Sequence, residues 1–292
     1  MYTRVLTPFT ASDGENLAFY RWLADAPSKQ PGDLGEPSRG LVLMVHGLGE
    51  HAGRYDHVAN SLSNWGFDVC AYDQRGHGES TGVPGTLPVS NALLDDLAAV
   101  MDDTRQQHPK LPLILLGHSL GGLVTSRFVS LGIRPVDALV LSSPALDARL
   151  SAFQKFLLKV LPPIAPNLRV GNGLDANYIS HDPQVVKDYL SDRLVHNKIS
   201  PRLGKFIATA GPATVASAAR WRTPTLLMYA GADKLVNPAG SRRFAELASE
   251  SKAVKPGLVT AKCFDGYYHE LFNELEAGPV FETLKTWLDA RF

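Results

Sequence analysis

The sequence lacks the features that would assign it to several special classes of protein. Its 292 residues include only two cysteines, Cys70 and Cys263, each inside an apolar run, which leaves no room for a disulfide framework or a cysteine-based zinc cluster. The 29 basic and 29 acidic side chains cancel, whereas broad binding to DNA or to anionic membranes needs a basic excess. We therefore expect buried thiols, a reducing compartment and no nucleic-acid partner.

Long apolar runs are missing as well. No segment approaches 18 uninterrupted apolar residues, which is about the length that spans a bilayer. The first 20 residues carry Arg4, Asp13 and Glu15 where a secretory signal needs a continuous apolar stretch. What is present, 45% hydrophobic and 20% charged residues, is typical of a folded globular chain. These features predict a cytoplasmic protein, with peripheral contact to membrane surfaces left open.

Short apolar runs alternate with helical patterns along the chain. Runs bounded by Gly, Pro or Asp have the length of buried strands, and amphipathic segments separate them. The alternation predicts an α/β fold with a mostly parallel sheet covered by helices on both faces. The predicted strands are Leu41–Val45, Phe67–Ala71, Leu113–Leu116, Ala138–Leu141, Thr225–Ala230 and Leu258–Phe264. The predicted helices are Tyr55–Trp65, Val89–Gln107, Gly121–Ser130, Ser241–Ser249 and Val280–Phe292.

The first 40 residues predict a different local structure. Two weaker strands, Thr7–Thr10 and Asn16–Trp22, flank a turn at Asp13-Gly14, a pattern that favours an antiparallel hairpin. The stretch Ala26–Arg39 is rich in Pro, Gly and charge, which predicts a surface loop.

The regular alternation breaks between Leu146 and Arg220, where helical patterns occur without a convincing strand. Because this stretch lies between two core strands, it predicts a helical cap over one end of the sheet. We expect core segments at 1–145 and 221–292 and a cap at 146–220. The first cap helix carries an apolar stripe that either packs on the core or faces lipid or substrate as a lid. The stripe is Phe153, Phe156, Leu157, Val160, Leu161 and Ile164.

The strongest local signal is the segment Gly117-His118-Ser119-Leu120-Gly121. It follows a predicted strand and precedes a predicted helix, which is the context that a G-x-S-x-G sequence requires. Glycines on both sides of the serine let the chain turn sharply and expose the hydroxyl. Ser119 is the predicted nucleophile.

A serine hydroxyl is a weak nucleophile and needs a base that is itself oriented by a carboxylate. In proteins with this motif the acid and then the histidine follow the serine, each just past a later strand. Asp233 follows Thr225–Ala230 and His269 follows Leu258–Phe264. Asp265 is the rival acid, but it lies only four residues before His269 on the same loop. We predict Asp233 as the acid and His269 as the base.

An oxyanion hole needs two backbone N–H donors near the serine. Leu120, directly after the nucleophile, should supply one, and Leu48, in the turn after the first core strand, should supply the other. We expect His46 to shape that turn and the side chain of His118 to point away from the site. The remaining histidines should be ordinary surface or core residues: His51, His57, His108, His181 and His196.

The segment Asp73–Ser80 is interpreted as a structural turn held by an Asp–Arg pair rather than as an anion site. The sequence contains no zinc spacing, P-loop or dinucleotide fingerprint. We therefore expect no metal and no cofactor.

Taken together in this order, the motifs resemble the monoacylglycerol lipase and lysophospholipase branch of the α/β-hydrolases. The likeness runs from about Leu41 to the end of the chain. It rests on His46–His51, Arg54-Tyr55, Asp73–Ser80, Gly117–Gly122, Ser142–Ala145, Pro166–Leu168, Tyr189–Leu194, Gly231–Asp233 and Tyr268–Glu270.

The resemblance implies an α/β-hydrolase fold with an eight-stranded sheet and a catalytic triad of Ser119, Asp233 and His269. It implies that Glu50 and Arg54 line the narrow polar end of the pocket, where a glycerol head would sit. Phe272 departs from the pattern, because the mammalian enzyme has a second histidine there. That difference puts head-group recognition in doubt, but not hydrolysis.

The expected activity is hydrolysis of monoacylglycerols through an acyl-enzyme intermediate, with the acyl chain under the cap near Phe156 and Leu157. The only expected partners are the lipid ester and, through the cap, a transiently contacted membrane surface. A lysophospholipase or a broad carboxylesterase would use the same residues. A proline-iminopeptidase-like peptidase would need acidic cap residues to bind a free amine. A non-catalytic binding protein would usually lack part of the triad, which is complete here.

Overall fold

An eight-stranded sheet forms the centre of the protein in the computed structural model, which describes residues 2–24, 38–149 and 151–292. The strands along the chain are β1 (Tyr2–Thr10), β2 (Asn16–Ala24), β3 (Leu41–Val45), β4 (Asp68–Tyr72), β5 (Leu113–His118), β6 (Ala138–Ser142), β7 (Val170–Gly171), β8 (Lys198–Ile199), β9 (Thr225–Ala230) and β10 (Val259–Phe264). In spatial order the central sheet is β1-β2-β4-β3-β5-β6-β9-β10, and β7 and β8 form a separate pair. The fold class predicted from the sequence is confirmed.

Strand direction follows the sequence prediction. The pairs β1–β2 and β2–β4 are antiparallel, and every later pair in this sheet is parallel. The predicted hairpin is therefore confirmed, with longer strands than the pattern indicated. Most of the predicted loop Ala26–Arg39, namely residues 26–37, lies outside the described part of the chain.

Helices cover both faces of the sheet, and the central strands β3, β5, β6 and β9 are therefore buried at every position. The helices are α1 (Asp56–Asn64), α2 (Ala92–Gln107), α3 (Ser119–Leu131), α4 (Ala152–Ile164), α5 (Pro183–Ser191), α6 (Pro201–Ser217), α7 (Pro238–Glu250) and α8 (Gly278–Asp289). Alternate residues of β3 enter different hydrophobic clusters: Leu43 belongs to one cluster with residues of α2 and α3, and Met44 belongs to another with residues of α1 and α8.

The segment between β6 and β9 contains α4, α5 and α6, as the predicted helical cap requires. The expectation of no strand there was wrong, because β7 and β8 pair through Val170 with Ile199 and Gly171 with Lys198. A two-residue strand is too short to give a periodic signal. The buried residues of α6, such as Leu203 and Phe206, join the core cluster, so α4, α5 and their connecting loops form the outer part of the cap.

The structure corrects the expectation that both cysteines are buried, and it decides between the two alternatives for the apolar stripe on α4. Cys70 is buried, but Cys263 is only half-buried, because β10 lies at the edge of the sheet. The stripe on α4 does not pack fully on the core: Phe153, Phe156 and Ile164 are exposed by 68%, 57% and 74%. No described helix is long and apolar enough to cross a membrane.

Candidate active site

Ser119 stands on a sharp turn between β5 and α3, with φ of +52°, a backbone conformation that side-chain-bearing residues rarely adopt. The neighbouring glycines are required by close backbone packing. A Cβ on Gly121 would lie 2.0 Å from the carbonyl oxygen of Val45, and one on Gly117 would lie 2.4 Å from Oγ1 of Thr125. The sequence around the serine therefore fits a helix that begins directly against the sheet.

Ser119, His269 and Asp233 come from three different loops and form one hydrogen-bonded chain. Nδ1 of His269 lies 2.7 Å from Oδ2 of Asp233, and Nε2 lies 2.8 Å from Oγ of Ser119. Because a carboxylate only accepts, the proton sits on Nδ1 and leaves Nε2 to accept from the serine hydroxyl. The N–H groups of Leu235 and Val236 donate to Oδ1 of Asp233 at 2.8 and 3.0 Å. The geometry is that of a nucleophile, a base and an orienting acid.

The rival acid Asp265 lies elsewhere. Its Oδ1 accepts from Sγ of Cys263 at 3.3 Å. The structure therefore brings Asp233 to the histidine, as the order along the chain led us to expect.

Charges around the site act on the pKa of His269 in opposite directions. Burial lowers that pKa, but Asp233 raises it through charge and hydrogen bonding, Glu270 and Glu50 add to the effect, and the net shift is upward. Burial raises the pKa of Asp233, but the charge and hydrogen bond of His269 outweigh it and the net shift is downward. The pair is thus held with an ionised aspartate beside a histidine that accepts a proton readily.

The ring of His118 does not point away from the site, contrary to expectation. Its centroid lies 4.7 Å from that of His269, and its Nδ1 lies 3.3 Å from Oγ of Ser142. Burial and the neighbouring His269 lower the pKa of His118 to about 4. It is therefore a neutral ring packed against the predicted base at neutral pH.

The two predicted oxyanion donors come from the start of α3 and from the turn after β3. The N–H of Leu120 is in the first turn of α3, where it has no partner within the helix and where the helix dipole favours negative charge. Leu48 lines the same cavity as Ser119. The turn before it is pressed against the nucleophile, since a Cβ on Gly47 would lie 3.1 Å from Cβ of Ser119. Their role as donors stays a prediction.

A cavity of about 820 Å³ opens above Ser119 and His269. The cap supplies much of its wall through residues 172–177 and through side chains on and after α5, including Tyr189, Leu190 and His196. The sequence did not indicate these residues, because their place in the wall depends on contacts between the cap and the core. One such contact joins the N–H of His196 to the carbonyl of Gly49 at 2.9 Å.

The predicted substrate-binding residues do not all reach this cavity. Glu50 lines it, whereas Arg54, Phe156 and Leu157 are not among its described lining residues. Phe156 is on the exposed side of α4. Phe272, the departure from the family pattern, is buried against Phe281 in the core and does not line the cavity either.

The described part of the cavity wall carries three carboxylates but no lysine or arginine. Glu50, Asp175 and Asp192 line it, and no Lys or Arg does so within the described ranges. Asp192 pairs with Nε2 of His51 at 2.7 Å, and Asp175 accepts from the backbone and side-chain N–H groups of Asn177. His51 and His196 are therefore part of the contact between cap and core rather than ordinary surface or core residues.

The segment Asp73–Ser80 is a structural turn, but its ion pairs differ from the expected one. Asp73 accepts from Tyr20, from the N–H of Ala52 and from the N–H of Glu79. Arg75 pairs with Asp96 and Asp13 instead. Sequence spacing suggested Asp73 as the partner of Arg75, because it is the nearest acid along the chain. In the folded chain, the partners of Arg75 come from the turn between β1 and β2 and from α2.

His46 shapes the turn after β3 as expected, since its Nε2 accepts from the N–H of Gln74 at 2.9 Å. In the described part of the chain, no group of three or more His, Cys, Asp or Glu side chains is arranged to hold a metal ion.

The sheet order, the strained serine turn after β5 and the cap between β6 and β9 define an α/β-hydrolase. Residues 36–276 match a family model described as "Serine aminopeptidase, S33". The chain belongs to this family, and within it to the branch of the monoacylglycerol lipases. The resemblance drawn from the sequence motifs is confirmed.

Known proteins similar to this chain cover its full length. A monoacylglycerol lipase of Mycolicibacterium smegmatis is 36% identical over 98% of this chain and 97% of its own. The phospholipase YtpA of Bacillus subtilis is 30% identical over 92% of this chain and 98% of its own. The crystal structure of a monoacylglycerol lipase of Paleococcus ferrophilus superposes over the whole of both chains, with 32% identity and a TM-score of 0.78.

Proposed function

We propose that this protein is a serine ester hydrolase that cleaves monoacylglycerols to fatty acid and glycerol. The observation that carries the proposal is the hydrogen-bonded chain from Ser119 through His269 to Asp233 at a cavity covered by the cap. Similarity to monoacylglycerol lipases over the full length supports the same substrate class.

In the proposed reaction, His269 takes the proton of Ser119 as Oγ attacks the ester carbonyl carbon. The developing negative oxygen accepts from the N–H groups of Leu48 and Leu120. His269, oriented by Asp233, then donates the proton to the departing glycerol oxygen, which leaves the acyl group on Ser119. A water molecule activated by His269 releases the fatty acid and restores the serine.

The charge of the cavity favours a neutral head group. A lysophospholipid would bring a phosphate towards Glu50, Asp175 and Asp192, and no Lys or Arg is among the described lining residues to offset that charge. A glycerol head is uncharged, so these carboxylates would not repel it. This difference favours a monoacylglycerol over a lysophospholipid, the runner-up that the phospholipase relative keeps open.

A proline-iminopeptidase-like activity ranks below the lysophospholipase, although acidic cap residues could bind a free amine. Asp175 and Asp192 are such residues in position. Both already accept hydrogen bonds from the chain itself, Asp192 from the N–H of Leu194 in addition to His51. We therefore favour the ester substrate.

The chain is divided in this proposal into a core of 1–145 and 221–292 and a cap of 146–220. The exposed stripe of α4, with Phe153, Phe156 and Ile164, would touch the lipid surface from which the substrate comes. The free thiols of Cys70 and Cys263 suit a cytoplasmic enzyme that binds membranes only at the periphery.

The test is hydrolysis by wild type and by Ser119→Ala on a matched panel. The panel holds monoacyl-, diacyl- and triacylglycerols, a lysophospholipid, a short p-nitrophenyl ester and a prolyl anilide. We expect the monoacylglycerol to have the highest kcat/KM and Ser119→Ala to abolish its cleavage. Activity confined to the short ester would contradict the lipase assignment, preference for the anilide would favour the peptidase, and equal activity of both proteins would contradict the triad.

A further inference from the structure

Arg54 connects the two loops that carry the predicted oxyanion donor and the predicted base. Its Nη1 donates to Oε2 of Glu50 at 2.5 Å, and its two terminal nitrogens donate to the two carboxylate oxygens of Glu270 at 2.7 and 2.8 Å. Glu50 lies two residues after Leu48, and Glu270 directly follows His269. One guanidinium group therefore ties both loops together through a bidentate and a single ion pair.

The ion pairs are enclosed by the protein. The side chains of Arg54, Glu50 and Glu270 are only 11%, 4% and 6% exposed. The ring of Tyr189, from the cap, lies 4.8 Å from the guanidinium carbon. Asn273 donates a further hydrogen bond to Oε2 of Glu270 at 2.7 Å. These groups have partners inside the chain, so they are not open for binding a substrate hydroxyl as they stand.

Glu50 extends the connection to the backbone beside Leu48. Its Oε1 accepts from the N–H of Gly47 at 2.6 Å and from the hydroxyl of Tyr55 at 2.7 Å. Burial raises the pKa of Glu50, but Arg54, the nearby His118 and His46 and the hydroxyl of Tyr55 together outweigh burial and lower the pKa to about 2. Hydrogen bonds to an ionised acceptor are short and strong, so the peptide next to the predicted donor is held firmly.

We propose that Arg54 is a positioning residue that holds the loop of Leu48 and the loop of His269 in fixed places relative to Ser119. It acts through Glu50 on the peptide of Gly47 and through Glu270 on the backbone that carries His269. This inference rests on the proposed esterase function. It differs from the head-group contact that the family resemblance implies for Glu50 and Arg54.

Two soluble esters with the same acyl group separate the two roles. 1-Monobutyrin carries a glycerol head, and ethyl butyrate does not. Arg54→Lys keeps the charge but loses the bidentate geometry, and Glu270→Gln keeps the shape but removes one charge. If Arg54 positions the loops, kcat should fall about 10- to 100-fold on both esters, as expected for small displacements of catalytic groups, with little change in KM.

A second readout separates positioning from simple loss of stability. The carboxylate of Glu270 raises the pKa of His269, so Glu270→Gln should move the acid limb of kcat/KM to lower pH on ethyl butyrate. Partial unfolding would lower the amplitude of that profile without moving its midpoint. Arg243→Lys is the matched control, because Arg243 pairs with Glu246 on the exposed surface of α7, and it should behave as wild type.

Three outcomes decide the matter. A loss confined to 1-monobutyrin and expressed as a raised KM would overturn the positioning role in favour of head-group binding. Unchanged kcat on both esters with an unmoved acid limb would overturn it as well. If wild type cleaves ethyl butyrate but not 1-monobutyrin, the proposed substrate fails, while a lowered kcat of Arg54→Lys on ethyl butyrate still supports the positioning role.

Discussion

The core and the cap of this protein differ in how they treat apolar side chains. In the core, every residue of β3 and of β9 is buried, and backbones approach so closely that glycine is the only residue that fits at Gly121. In the cap, α4 leaves Phe153 and Ile164 largely in solvent. The difference indicates that the core fixes the distances between the residues of the candidate site, whereas the cap leaves apolar side chains exposed on its surface.

The two regions also differ in how their ionisable groups are paired. Near the nucleophile, the carboxylates of Asp233 and Glu50 each accept several hydrogen bonds while buried. On the outside of the cap, Arg193 meets Glu79 with 82% of its side chain exposed, a type of pair that adds little stability. Changes in the core should therefore alter rate or folding strongly, and changes in the cap should alter access to lipid.

The largest effect should come from the core residue that is predicted to orient the base. Asp233→Asn removes the charge that raises the pKa of His269, and loss of such an acid costs about 10⁴-fold in kcat. Wild-type kcat/KM should rise with pH through a pKa above the ordinary 6.5 of histidine, since only the neutral ring accepts a proton. In the variant that midpoint should lie at lower pH.

Rates on ethyl butyrate across pH measure both changes. Asp265→Asn is the matched control, because Asp265 lies on the loop that carries His269 but accepts a hydrogen bond from Cys263 instead of from the histidine. A larger loss of kcat in Asp265→Asn than in Asp233→Asn would reverse the assignment of the acid.

The next effect contrasts one glycine of the core with one of the cap. In Gly121→Ala the new Cβ would meet the backbone carbonyls of Val45 and His46 at 2.0 and 2.4 Å. Overpacking of this kind should cost about 3 kcal/mol of unfolding free energy, which corresponds to a fall in Tm of roughly 6–12 °C. In Gly171→Ala, in β7 of the cap, the new Cβ meets nothing within 4 Å. Thermal unfolding of both variants checks the contrast, and equal Tm values would refute it.

How far the sequence could predict the fold depended on how local the signal was. Leu41–Val45 and Thr225–Ala230 were predicted to the residue, because both strands are short runs of mostly apolar residues bounded by Gly, Pro or a polar residue. The pairing of Val170 with Ile199 joins positions far apart in the chain through two-residue strands. Nothing in the local pattern records such a pairing.

The same limit applied to the candidate site. Ser119, Asp233 and His269 could be chosen because each lies within a few residues after the end of a core strand, and parallel strands place such positions along one edge. Glu270 and Tyr189 were missed, since their importance comes from meeting Arg54 across the fold. His118 was misjudged because a turn with φ of +52° at the next residue redirects the chain.

A smaller effect is expected on the cap surface. Phe153→Ser combined with Phe156→Ser removes two exposed rings from α4. Full burial of a phenylalanine side chain contributes about 1.5–3 kcal/mol. Even if the two rings insert only partly, their removal should weaken the affinity for vesicles at least about tenfold. Sedimentation with phosphatidylcholine vesicles measures binding, and kcat on ethyl butyrate should stay unchanged.

Leu275→Ser is the matched control for the vesicle experiment, because Leu275 is 64% exposed but lies outside the cap. Equal vesicle binding by wild type and the double variant would exclude the stripe as the contact. Equal losses in the double variant and in Leu275→Ser would show that the whole surface, rather than the cap, meets the lipid.

The smallest predicted effect lies where the two regions join. Arg149, three residues before α4 and with φ of +49°, donates from Nη2 to the carbonyl of Asp233 at 2.8 Å and from Nε to that of Val236 at 3.1 Å. Because Arg149 is exposed, Arg149→Met should lower kcat on ethyl butyrate only about two- to fivefold, the equivalent of one modest hydrogen bond. Arg243→Met should leave kcat unchanged. A clear loss in Arg149→Met alone would mean that the chain leading into the cap helps to hold the acid loop, so that the division between a rigid core and a separate cap is not complete.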